Sequence, residues 1–510
     1  MSEKLPANWI ELELEKILSS LQSGSRPKGG VKGILNGIPS IGGEHLNNTG
    51  GFNFLNTRFI PEEYYKKLAK GHINENDILI VKDGATTGKV AYVDKKFPFM
   101  KAVINEHVFI VRVSAPVISK VVFYFLWSKE GNERVLKNFQ GSAQGGINRQ
   151  FISNTLIPLP PLNEQKRIVA KLDAIMPRIE AVNQRLEKIP CILKRFRQSV
   201  LTAAVTGKLT EKWREEHPEV ESAEVLLKRI RKERKKKYIH KKIATPSNYK
   251  HIDINDIEYL LPQKWQWCRL AQIVKKMSTG PFGSMLHKSD YIENGIPVIN
   301  PTNIKGSMLV PSENMLISET KFTELSRYAL QENNIVIARR GDLSKCGIVM
   351  KKEAGWLCGT GSFFLDIGIE PSFFRLFYIS NFCQSVLNEN AIGSTMSNLN
   401  QNVLSNIAFP LPPLEEQKEI VKQVDKLFAL ADKVEAHYQK AKDQVDKLSQ
   451  SVLAKAFKGE LVPQDLNDEP AEKLLERILE EKAKMEKELK KAKKRTPMKK
   501  AVKNKSRNKV

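Results

Sequence analysis

The sequence predicts an α+β protein: two repeated globular modules separated by two long helices, paired as an antiparallel coiled coil about a pseudo-twofold axis. Three observations predict it. First, PLPPLNEQK at Pro158 and PLPPLEEQK at Pro410 each open a long helical run, and the copies keep a constant offset of 252 residues, without a gap, through QSVL at Gln198 and Gln450 to Gly207 and Gly459. Second, the first run carries an apolar seam at Ile168, Leu172, Ile175, Ile179, Val182, Leu186, Ile189, Leu193, Phe196 and Val200, spaced alternately four and three apart, which is a heptad pattern. The second run repeats these positions as Ile420, Val424, Leu427, Ala431, Val434, Tyr438, Ala441, Val445, Leu448 and Val452, with smaller residues against larger ones. Third, the stretch before each run repeats the framework of the other.

Each helix would span about 60 Å at 1.5 Å per residue, nearly twice the roughly 34 Å of a DNA turn. Antiparallel pairing places the modules at opposite ends; parallel pairing would crowd them together and leave the far ends uncovered. The boundaries follow: a first module at 1–157, a helical region at 158–242 (a long spacer helix and a shorter basic helix), a linker at 243–260, a second module at 261–409, a second helical region at 410–490, and a basic tail, expected to be disordered, at 491–510. Pro177 and Pro190 interrupt the first long run, where the second has Ala429 and Lys442. Since the seam keeps its phase past both prolines, kinks are expected, without a break.

The first module begins with an amphipathic segment at Trp9 to Leu21 and a flexible loop, SGSRPKGG, at Ser23 to Gly30. Strand-like runs follow at Gly37 to Ile41, Asp77 to Val81, Lys89 to Val93 and His107 to Val113, then an aromatic helix at Val121 to Trp127 and a polar loop at Gln140 to Gln150. In the second module LPQKW at Leu261 matches LPANW at Leu5, GIPVI at Gly295 matches GIPSI, NNIVIARRG at Asn333 matches NDILIVKDG, and FFRLFYI at Phe373 matches the aromatic helix. The loops do not match: KDGATTGK stands against RRGDLSKCG, and SGSRPKGG against TGPFGSML. A shared framework with unlike loops implies two ligands read by one fold.

Of the formal net charge of +25, the segment Lys228–Lys242 holds +9 and Lys482 to the C-terminus +12, so the modules and long helices are close to neutral. Those segments are either solvated helix ends and tail or a source of non-specific attraction to phosphates. Five scattered cysteines with no CxxC pair argue for reduced thiols and against a zinc site. The absence of a long apolar run and of an apolar leader predicts a cytoplasmic protein with no membrane partner.

Enzyme motifs fall short. GATTGK at Gly84 is one residue shorter than a phosphate loop and ends in Val90 where a hydroxyl is needed. NPTN at Asn300 lacks the second proline and aromatic of an amino-methyltransferase, and Asp83, Glu106 and Asp342 suit turn caps better than a nuclease cluster. The aromatic helices read as core. Base reading needs Arg or Lys for guanine, Asn or Gln for adenine, and small polar groups within reach of a groove. The first module offers Ser25, Arg26, Lys28, Glu44, His45, Lys82, Thr86, Thr87, Lys89, Gln144 and Asn148. The second offers Ser284, Lys288, Asn300, Thr302, Asn303, Arg339, Arg340, Ser344, Lys345, Asn398 and Asn400. Arg339 and Arg340, adjacent beside a glycine turn, are the foremost pair: one can take a phosphate and the other a base.

The doubled PLPPL-x-EQ motif, with NDILIVKDGATTGKVA at Asn76 and NEHVFIVR at Asn105, resembles the specificity subunit of Type I restriction-modification systems over nearly the whole chain. The resemblance implies that the modules are target-recognition domains, each reading one half of a bipartite asymmetric site in double-stranded DNA. It implies that the helices dock two methyltransferase subunits, and that restriction and motor subunits join that core. The chain itself would have no catalytic centre, cofactor or metal; S-adenosylmethionine, ATP and Mg would belong to its partners. The alternative is a scaffold whose modules bind proteins and whose basic segments hold nucleic acid without specificity.

Overall fold

The computed structural model describes residues 5–141, 145–238, 252, 259–282, 284–391 and 399–495. Gln144, Asn398, most of the linker and the tail beyond Arg495 lie outside the described residues. The chain forms two compact units, Met1–Glu187 with Gln439–Val510, and Lys188–Tyr438, so each unit draws on both repeats.

In the first unit an antiparallel sheet runs in the order Leu18–Ser23, Val108–Val113, Ile78–Val81, Val90–Tyr92. Its central strands are apolar on both faces, which explains the unbroken run ILIV. Ile78 and Ile80 face the aromatic helix Ser119–Trp127, whereas Leu79 and Val81 face a smaller sheet of Arg58–Ile60, Ile38–Ile41 and Val103–Ile104. GATTGK is the turn between Ile78–Val81 and Val90–Tyr92, with left-handed glycines at Gly84 and Gly88. The aromatic helix is core, with Val121 to Leu126 all buried.

The second unit repeats the plan. Its main sheet is Val274–Thr279, Ser362–Ile367, Ile335–Ala338, Cys346–Ile348, and its smaller sheet contains a parallel pair, Ile296–Ile299 with Leu357–Cys358, like Ile38–Ile41 with Val103–Ile104. A short hairpin, Ile304–Lys305 with Met308–Leu309, is added.

The helices are shared between the repeats. In the first unit Ile168 and Leu172, near the start of the first long helix Leu162–Leu186, share a core with Leu453, Ala456 and Phe457 at the end of the second, Leu414–Phe457. Ala471, Leu474 and Ile478 of the helix Ala471–Arg495 close that core. In the second unit Ile420 and Val424 meet Val200, Leu201, Ala204 and Val205 of the helix Ile189–Val205, closed by Leu226 and Ile230 of the helix Ala223–Tyr238. Start meets end in both units, so the long helices run antiparallel. Arg197 donates to Asp432 and Glu435, each at 2.7 Å, across the pair in the second unit.

The repeated motif is a junction whose chemistry the helix reading alone does not reveal. Glu164 is buried and accepts from the indole Nε1 of Trp9 at 2.8 Å; its counterpart Glu416 accepts from Trp265 at 2.7 Å. Gln165 and Gln417 each donate to a proline carbonyl of their own motif (Pro160, Pro412) at 2.9 Å, and each accepts a backbone N–H from the segment leading into the aromatic helix, Ile118 at 3.0 Å and Glu370 at 2.9 Å. LPxxW and PLPPLxEQ are therefore two halves of one joint. Its third part is the glycine ending each long run: Gly459 and Gly207 have φ of +76° and +77°, and a Cβ on either would lie 2.4 Å from the Cγ of Pro6 or Pro262. Gly459→Ala combines a left-handed backbone with that clash, and we expect about 1–3 kcal/mol of destabilisation. A lower urea midpoint with an unchanged m-value would register it.

The seam is unevenly covered. Ile168, Leu172, Ile179, Leu193, Ile420 and Val424 are buried, and Ile175, Leu427 and Val445 pack half-buried against the cores. Leu186 and Ile189 are half-buried, while Val182, Val434 and Leu448 stand 42%, 39% and 51% exposed. Burial is completed where a module and a short helix add a third wall, and the middle of each run lacks that wall. Met176, off the heptad positions, is buried. Pro177 lies within a continuous helix. At Pro190 the expectation of an unbroken helix needs correction: the hydrogen-bonded ladder ends with the Glu187 N–H donating to Asn183 and resumes with the Ile192 N–H donating to Lys188, although Glu187 and Lys188 keep right-handed helical dihedrals. Proline at the start of the new segment lacks an N–H that would have had no partner there.

The basic helix Ala223–Tyr238 turns Leu226, Leu227 and Ile230 inward and leaves Lys228, Arg229, Arg231, Lys232, Lys235 and Lys236 exposed. Cys268, Cys346, Cys358 and Cys383 are buried free thiols, and burial pushes Cys346 up to about 12. Among the described residues no helix is long and apolar enough to cross a membrane, and no cluster of metal-ligating side chains occurs.

Candidate nucleic-acid interface

Antiparallel strands bring loops that are distant in sequence to the same edge of a sheet. In the first module the loop after Leu18–Ser23, the turn after Ile78–Val81 and the segment before Val108–Val113 meet at one edge of the main sheet. Beside it opens a cleft of about 630 Å³, lined by Arg26, Glu44, Asn53, Leu55, Asn56, Arg58, Asn105 and His107. Sequence reasoning names Arg26 and Glu44 of these. It misses Asn53, Asn56 and Arg58, which show no signal beyond polarity, and Asn105 and His107, which sit inside the stretch NEHVFIVR that reads as framework.

A charge chain borders the cleft. Arg26 Nη2 lies 2.7 Å from Glu106 Oε1, and His107 faces that same oxygen with Nε2 at 3.3 Å while Nδ1 bonds Asp83. Lys82 Nζ is 3.7 Å from the other Asp83 oxygen. Asp83 and Glu106 thus act as hydrogen-bond acceptors that hold basic side chains at the edge. Ser25 bonds the Tyr64 hydroxyl at 3.0 Å, Thr87 bonds the Gly84 carbonyl at 2.6 Å, and Lys89 reaches the Leu46 carbonyl at 3.5 Å. Thr86 is half-buried; Lys28 and Asn148 are exposed. His45, by contrast, is buried, and its Nδ1 accepts the Gly42 N–H at 2.9 Å, holding its own turn.

In the second module Lys345 donates to the Pro301 carbonyl at 3.0 Å, joining the loop after Ile335–Ala338 to the one after Ile296–Ile299. Arg339 is half-buried, and Arg340, Ser344, Thr302, Ser284 and Lys288 are exposed. Ser344 donates to Asp342 at 2.6 Å, holding that carboxyl below its ordinary range. Two candidates prove to be local builders. Asn303 is buried, accepts the Asn300 N–H at 3.0 Å, and donates to the Val310 carbonyl at 2.9 Å and the Ser312 hydroxyl at 2.8 Å. Asn400 caps the helix Gln401–Ser405 by accepting from the Val403 N–H at 2.8 Å. Asn300 remains half-buried beside the joined loops.

The first edge therefore carries interleaved acids and bases, and the second carries two arginines. Both offer charged and amide side chains on fixed loops, the equipment of groove reading.

Comparison with known proteins agrees with this chemistry. A sequence model described as the Type I restriction modification DNA specificity domain matches twice, at residues 8–190 and 262–441. The specificity subunit of the Type I restriction enzyme EcoBI from Escherichia coli is 28% identical over 470 residues, covering 89% of this chain and 91% of that protein. The EcoKI specificity subunit from Escherichia coli strain K12 is 26% identical, covering 94% and 97%. Among solved structures, a chain from work on complex assembly and conformational transition of the type I R-M system aligns with a TM-score of 0.62 at 19% identity, covering 90% of this chain and all of that one. The HsdS subunit from Thermoanaerobacter tengcongensis aligns at 0.50, also at 19% identity, covering 90% and 99%. With two modules matched over most of its length, the chain belongs to the family of Type I restriction-modification DNA specificity subunits.

Proposed function

We propose that each module reads one half of a bipartite, asymmetric site in double-stranded DNA, and that the long helices set the separation of the halves. The observation that carries this is the pairing of near-identical frameworks with chemically unlike edges: Arg26, Glu106, His107 and Asp83 in one module, Arg339 and Arg340 in the other. A fold kept for stability needs no such divergence, whereas two readers of different base sequences require it.

The chain is a specificity subunit, and catalysis resides in partner subunits. On our reading those partners are two methyltransferase subunits docked on the long helices, joined by restriction and motor subunits. S-adenosylmethionine, ATP and Mg are bound by the partners.

Co-expression with the methyltransferase subunit, followed by methylation-sensitive sequencing of the host genome, tests the proposal. The expected result is one split motif with an unread spacer, in which exchanging the loops of one module changes one half and leaves the other. Methylation that is absent or unsplit although the complex forms would overturn it and favour the scaffold.

A further inference from the structure

Lys82 and Arg339 occupy the same place in the two modules. Each directly follows the last residue of its central strand, Val81 or Ala338. Two residues before each, Ile80 pairs with Phe109 and Ile337 pairs with Phe363, so both cations stand diagonally across the sheet from an equivalent phenylalanine. Both use that position alike: Lys82 Nζ lies 5.7 Å from the Phe109 ring centroid, and Arg339 Cζ 5.9 Å from that of Phe363.

Their backbones are pinned alike as well. The Lys82 N–H donates to the His107 carbonyl at 2.9 Å, and its carbonyl accepts from Ile147 at 2.7 Å. The Arg339 N–H donates to the Gly361 carbonyl at 2.9 Å, and its carbonyl accepts from Leu399 at 3.0 Å. Elsewhere the edges have diverged, yet this one position keeps a cation, a ring beneath it and both backbone bonds.

The two cations differ in what surrounds them. Lys82 is tempered by Asp83 at 3.7 Å. Arg339 has no carboxylate within ion-pair distance among the described residues, its Nε is buried without a hydrogen-bond partner, and a second ring, Phe282, lies 6.0 Å away on the loop that carries Arg26 in the first module. Phe282 is 52% exposed. A guanidinium within about 6 Å of two ring centroids loses less freedom when it forms further bonds, because the rings already restrict it.

Building on the two-reader function, we propose that Arg339 is a specificity-determining residue that reads one guanine in the half-site of the second module, and that Lys82 holds the corresponding reading position in the first. The planar fork of Arg339 suits the paired O6 and N7 acceptors of guanine, while Lys82 offers a point donor. The exposed neighbour Arg340 takes a phosphate.

The test uses the chain assembled with its methyltransferase subunits and a randomised duplex DNA pool, selected by binding and sequenced. Arg339→Lys keeps the charge and loses the fork, and Lys82 shows that lysine is accommodated at this position. We expect it to lower the preference for one guanine, in one half-site only, by about 5- to 150-fold. Phe282→Leu, at an exposed position that does not threaten folding, relaxes the same guanine to a smaller extent. Arg340→Gln weakens binding to all sequences alike and lowers the salt slope by about one. An unchanged motif with Arg339→Lys, or uniform weakening across all sequences, would overturn the assignment. If the unaltered complex selects no split motif, the two-reader function itself fails, and this assignment with it.

Discussion

Glu416→Ala is expected to destabilise the second unit by about 3–5 kcal/mol, the cost of removing one partner from a buried, hydrogen-bonded charge pair. The carboxylate is 1% exposed and receives three donors: the Trp265 indole at 2.7 Å, the Thr210 hydroxyl at 2.7 Å and the Arg214 guanidinium at 2.6 Å. Alanine would leave the Trp265 indole N–H without its acceptor and the Arg214 guanidinium without its counter-charge, bonded only to the Thr210 hydroxyl at 3.2 Å, at the point where the second long helix begins. Glu164→Ala should cost less. That carboxyl receives the Trp9 indole and Gln464, with no guanidinium bonded to it, and burial already holds it above the ordinary range for a glutamate. Urea unfolding of both variants decides the matter; equal losses would show that Arg214 contributes nothing particular.

Phe457→Ala should remove about 3–5 kcal/mol from the first unit, as expected for a buried aromatic truncated to a methyl group. Phe457 is 3% exposed and meets Phe125 edge to face, with centroids 5.2 Å apart. The residue lies in the second repeat, yet its loss should be felt by the first module. Amide exchange at Ile78–Val81 should accelerate while exchange at Ile335–Ala338 stays as it was. Acceleration at Ile335–Ala338 alone would contradict the assignment of the helix ends to the opposite modules.

Much of this architecture is legible in the sequence because repetition and the heptad spacing are long-range regularities that need no coordinates. The antiparallel pairing follows from asking what covers each helix end. Where the reading is incomplete, the missing information is local. PLPPLxEQ announces a helix start, but the bond from Trp9 to Glu164 spans 155 residues, and no pattern within either segment reveals it. Pro190 keeps the seam in phase while breaking the ladder, because phase depends on dihedrals and the ladder on an N–H that proline lacks. Among the edge residues, composition brings out Arg26 and Arg339, and it also brings out His45, Asn303 and Asn400, whose amide or imidazole groups serve turns and a cap. A polar side chain in a loop suits either role equally well. Asn105 and His107 go unnoticed because they border a strand whose apolar residues dominate its appearance.

The exchange of helix ends also sets an order of events during synthesis. The second module emerges from the ribosome after Val200 to Ile230, so the lid for its core is waiting when its strands appear. The first module has the opposite history: its strands are complete at Leu159, but Leu453 to Ile478 follow only about 300 residues later. At roughly 5–20 residues per second this leaves the side of the nascent core that Leu453 to Ile478 will close open for about 15–60 s. The two repeats thus differ in their need for chaperone protection, with the burden falling on the one made first.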